Sequence, residues 1–132
     1  MKLLAAILLV SSISIQAQNL RSLKDVMSDM GASFKTLTIA ITAGTINPKI
    51  IEESAKLVTL VKESEAITPD TILSLPNVDQ AAAKAKYDQE LKDLENNATA
   101  LNVALASNNI DQAKVLLTKL TDGKKQGHKD FK

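Results

Sequence analysis

Seven apolar side chains, Leu20, Leu23, Met27, Met30, Phe34, Leu37 and Ile41, recur at alternating intervals of three and four residues. That spacing winds them onto one stripe of an α-helix, whereas a strand would scatter them over both of its faces. A stripe of this length is stable only when other apolar faces cover it, so the chain needs further helices.

Three more amphipathic segments follow. Gly44 is a natural stop for the first helix, and Asn47 followed by Pro48 reads as an N-cap with proline in the first turn. Ile50, Ile51, Leu57, Val58 and Val61 give the second helix its buried face, and it ends near Ile67. Neither Pro69 nor Pro76 can continue a helix, so Thr68 to Pro76 reads as one long crossover loop. Asn77 and Gln80 have capping-box spacing, and Ala83, Tyr87, Leu91, Leu94, Ala98, Leu101 and Leu105 stripe a third helix. After a turn at Ser107 to Asn109, a fourth helix opens on Asn109 and Gln112. It carries Ile110, Ala113, Leu116, Leu117 and Leu120 before a polar ending that contains His128 and Phe131. Short connections make consecutive helices antiparallel neighbours. The expected fold is all-α, an antiparallel up-down-up-down four-helix bundle.

Ahead of the bundle, Lys2, the apolar run Leu3 to Val10 and the smaller, more polar Ser11 to Ala17 read as a cleavable signal peptide over residues 1–17. The run is too short for a membrane anchor, which needs about 20 apolar residues. Residues 18–132 are then a single exported domain, expected in the periplasm. Removing Lys2 takes the formal net charge from +1 to zero. Without excess positive charge, and with one Tyr and two Phe, the chain lacks both the attraction for phosphate backbones or anionic lipid and the stacking platforms for single strands. We expect a monomer that engages neither nucleic acid nor membrane.

The sequence has no cysteine and one histidine. This excludes disulfides, thiolate chemistry and thioether-linked haem, and it removes the usual nucleophile–base pairs and zinc-ligand clusters. An enzyme is not expected. The notable pair is positional: Met27 lies about two turns into the first helix and His128 about one turn from the end of the fourth. In the expected bundle these ends adjoin, at depths of roughly 10 Å and 5 Å. Taken singly, a methionine on an apolar stripe is core filler and a histidine among Lys124, Lys125 and Lys129 is an exposed helix-end group. Together, a thioether and an imidazole are a known axial pair for haem iron.

Leu23-Lys24-Asp25-Val26-Met27 resembles the first-helix ligand motif of the soluble cytochrome b562 family. Leu120 to Lys132 aligns without gaps with that family's last turns. Ala66-Ile67-Thr68-Pro69 is similar to its proline-containing loop, and Ala106 to Ala113 to its turn into the last helix. The resemblance implies one non-covalent haem b per chain, bound through the iron by Met27 and His128, and electron transfer with a redox partner it does not name. Leu23, Met30, Phe34, Tyr87, Leu91 and Phe131 would surround the macrocycle, with Lys124, Lys125, Lys129 or Arg21 near its propionates. Tyr87 and Leu91 stand where the family has two phenylalanines. Gly127 replaces a common tyrosine, and with Gly123 it is expected to loosen the haem end. The rival readings are a haem-free exported bundle of chaperone or stress type and a copper binder using Met27, Met30 and His128.

Overall fold

The structure, a computed structural model, describes residues 21–131. The expected signal peptide and Leu20 lie outside the described residues. In chain order the elements are α1 (Leu23–Thr42), α2 (Pro48–Glu65), α3 (Asp70–Leu73), α4 (Asn77–Ala106) and α5 (Ile110–Phe131). The four long helices are those the apolar stripes call for, and they form the expected all-α bundle.

Most boundaries follow from side-chain caps. The Ser22 hydroxyl accepts from the Asp25 amide at 3.2 Å and starts α1, and Gly44, at φ 72°, ends it in the left-handed region that glycine adopts at no steric cost. Asn47 Oδ1 accepts from the Ile50 amide at 2.9 Å, with Pro48 as the first helical residue of α2. Asn109 Oδ1 accepts from the Gln112 amide at 3.1 Å and opens α5.

The crossover departs from expectation. It holds one helical turn, α3, whose Ile72 is buried against the core. Asn77 is already inside α4 and the N-cap position is Pro76, so the capping box does not form. Gln80 instead folds back over the loop, its Nε2 donating to Leu73 O at 3.2 Å and Leu75 O at 2.9 Å. A side-chain amide thereby satisfies carbonyls that a proline-interrupted segment cannot pair with its own backbone.

Packing runs α1 on α2, α2 on α4 and α4 on α5, each pair closely apposed; α1 and α5 close the bundle along a much sparser seam. Leu37, Ile41, Leu57, Leu101, Leu105 and Leu120 are fully buried at its centre. Asn102 ties α4 to α2, its Nδ2 donating to Ile51 O at 3.1 Å and Ser54 Oγ at 2.8 Å.

Candidate functional site

The α1/α5 seam has one anchor that sets its register: the Lys124 ammonium lies over the Phe34 ring, 5.2 Å from the centroid. Lys124 and His128 are four residues apart on α5 and share a flank; Phe34 and Met27 are seven apart on α1 and share another. The opposite flank of α5 faces α4, where a Cβ on Gly123 would stand 3.4 Å from Leu94 Cδ1 and Asp130 pairs with Lys86 at 3.2 Å. Helical periodicity counted from that contact puts Met27 and His128 on the flanks of α1 and α5 that border the seam. Both lie beyond the Phe34–Lys124 contact toward the same end, Met27 by about 10 Å and His128 by about 6 Å of helical rise.

Their surroundings differ. Met27 is half-buried and packs against the core, while His128 is exposed. Met30 is a core residue, only 4% exposed, which removes it from the surface where a copper ion could recruit it with His128. Phe34, Tyr87 and Leu91 are buried as well, and Leu23 and Phe131 are half-buried. Of the basic residues expected near the propionates, Arg21 is already engaged: its guanidinium grips Glu63 through two hydrogen bonds of 2.9 and 3.0 Å and also binds Asp29. These bonds raise the Arg21 pKa and lower those of both carboxyl groups. Lys125 and Lys129 are exposed.

The α5 terminus is more firmly held than its glycines imply. The Phe131 ring meets Tyr87 edge-on at 5.2 Å, Tyr87 Oη donates to Ser64 O at 3.0 Å, and Thr71 Oγ1 donates to Phe131 O at 3.0 Å. Burial, then the nearby Asp88 and Glu65 charges, pushes the Tyr87 phenol up to about 12, so it stays protonated as a donor. Asp130 accepts from Gln126 at 2.9 Å in addition to its pairing with Lys86. Glu90 packs beside it; burial first, then the neighbouring Asp130 carboxyl, raises Glu90 to about 7. Glu90 holds Asp130 down to about 2, with help from Gln126 and Lys86. α3 and α4 thus pin the end that carries His128, and α5 stays helical through Gly123 and Gly127 to Phe131. Sequence reasoning missed Thr71, Glu90 and Lys86, because each acts across helices and none belongs to a local pattern.

Two shallow depressions, one beside Glu65 and Lys92 and one beside Ile72 and Gln80, lie along α4 and touch neither Met27 nor His128. Among the described residues no group of three or more His, Cys, Asp or Glu is placed to hold a metal ion, and no helix is long and apolar enough to cross a membrane.

Four long helices packed as an up-down-up-down bundle define a class: all-α four-helix-bundle proteins. Residues 22–132 match the cytochrome b562 family, and the chain belongs to it. It is a haem-binding electron-transfer cytochrome of that family. The searches of curated proteins and of solved structures gave no match.

Proposed function

We propose that the mature chain carries single electrons in the periplasm on one non-covalent b-type haem held in the α1/α5 seam, with Met27 and His128 as the axial ligands. What supports this reading is the Phe34–Lys124 contact across the sparsely packed α1/α5 seam, with Met27 seven residues from Phe34 and His128 four from Lys124 on the same helical flanks. The donor set suits the group. The thioether is a soft ligand that favours ferrous iron, and the imidazole is the commonest nitrogen ligand. The chain has no cysteine, so attachment rests on coordination and packing alone.

Bound haem supplies a one-electron ferric/ferrous couple. The protein's part would be to hold the iron by Met27 and His128 from two helices, which suits carrying an electron rather than transforming a substrate. Lys124, Lys125 and Lys129 offer carboxylate partners at the same end. Export rests on the Lys2 and Leu3 to Val10 leader pattern, and a single domain with one such seam supports one haem per monomer.

The test is an absorption titration of the mature protein with haemin, before and after dithionite. Sharp reduced bands of a low-spin Met/His haem, saturating at one equivalent and lost in His128→Ala, are expected. A free-haemin spectrum at every ratio would overturn the reading in favour of a haem-free bundle.

A further inference from the structure

The four glycines of the chain divide by what accounts for them. Gly44 is needed for its positive φ of 72°, and a Cβ on Gly123 would contact Leu94 at 3.4 Å. Gly31 has neither reason. It lies inside α1 with ordinary helical backbone, is half-buried, and a Cβ built on it would meet no atom within 4 Å. Apart from proline no residue is a poorer helix former. Nothing among the described residues repays the choice.

Its position does. Gly31 is one turn from Met27 in the direction of Phe34, on the same flank of α1, and so lies along the seam between the thioether and the Phe34–Lys124 contact. Gly127, the other glycine whose Cβ would meet nothing within 4 Å among the described residues, falls on the flank of α5 that carries Gly123 and Asp130 and faces α4. A porphyrin reaches several ångströms from its iron in every in-plane direction, which is about one helical turn. A plane held by Met27 therefore extends over position 31.

Resting on the haem reading above, we propose that Gly31 is a macrocycle-contact position: its bare backbone forms the wall of the seam against which the porphyrin edge lies. A Cβ there would take space that the ligand needs while meeting no atom of the described haem-free fold within 4 Å. Gly31 thus sets the width of the slot and selects for a flat, unobstructed ligand.

The test compares wild type, Gly31→Ala, Gly31→Leu and Ala32→Leu in the mature protein, Ala32 being the exposed neighbour. The thermal midpoint without haem and the haemin dissociation constant are read separately. Gly31→Ala is expected to raise the haem-free midpoint by a few degrees, as a better helix former, and to weaken haemin binding about threefold. Gly31→Leu is expected to keep the haem-free fold and weaken binding about tenfold or more, as overpacking does. Ala32→Leu should bind within about twofold of wild type. Wild-type affinity in both Gly31 variants would overturn this inference and leave the haem reading intact. Failure of the wild type itself to bind would overturn the haem reading and this inference together.

Discussion

Two methionines one turn apart on α1 have opposite duties, and replacing each by alanine separates them. Met30 is 4% exposed and embedded among the core residues. Truncating a methionine at such a site removes its transfer energy and leaves a cavity, a loss of about 2–5 kcal/mol. For a domain of this size each kcal/mol moves the melting midpoint by about 4–6 °C, so a mid-range 3 kcal/mol lowers the haem-free midpoint by about 12–18 °C. Met27 is only half-buried at the edge of the core. Its truncation gives up roughly 1 kcal/mol, or about 5 °C. The order reverses once haem is bound. Met27→Ala should abolish the low-spin reduced spectrum, whereas Met30→Ala should keep it in whatever fraction remains folded. Circular dichroism melts of the haem-free protein and absorption spectra of the reduced, loaded protein measure both effects. A Met30→Ala protein that is folded but has lost the low-spin bands, beside a Met27→Ala protein that retains them, would refute the ligand assignment.

The remaining predictions concern the pinned end of α5. Folding raises Glu90 from 4.5 to about 7, so the folded chain binds this proton more tightly than the unfolded one. The stability that follows is complete below about pH 4.5, declines as pH rises and is gone above about 7. The haem-free midpoint should therefore fall across that window, and Glu90→Gln, which keeps a donor toward Asp130, should flatten the slope. An unchanged slope in the variant would assign the pH dependence elsewhere. Asp130, held down to about 2, acts in the opposite sense and only in stronger acid. Tyr87→Phe removes the hydroxyl that reaches Ser64 O while keeping the ring against Phe131. A loss of about 0.5–1.5 kcal/mol in urea denaturation is expected, and no loss would show that the hydroxyl is not contributing.

Much of this architecture could be read from local patterns. The three-and-four spacing locates the buried faces, because periodicity reports directly which side of a helix meets the core: Phe34, Leu37 and Ile41 on α1, and Tyr87, Leu91, Leu94 and Leu101 on α4, are all buried. Asn47 and Asn109 cap where their neighbours suggest, since a cap needs only residues within one turn. Asn77 fails the same test because the N-cap position falls on Pro76, and the nearby Gln80 finds better acceptors in a loop whose path no local rule specifies. Met27 and His128 could be picked out by depth and resemblance, and helical periodicity counted from the Phe34–Lys124 contact is what puts them on flanks that border the seam. The grip on Phe131 by Tyr87 and Thr71, and the closeness of Glu90 to Asp130, depend on the rotation of α5 against α3 and α4. That rotation is a property of the packed bundle, so the loosening expected from Gly123 and Gly127 is offset by contacts the sequence does not announce.

The succession of packing partners also bears on how the molecule is assembled and reopened. Each of the three tight interfaces joins helices that follow one another along the chain, apart from the single turn of α3. A nascent chain can therefore zip them together by closing short loops only, at low contact order, which favours fast folding. Among the four long helices, the interface that joins the first to the last is also the sparsest. Parting α1 from α5 is a local opening of modest cost rather than a global unfolding, and on that basis a bulky, flat guest could be exchanged while the other three interfaces stay closed.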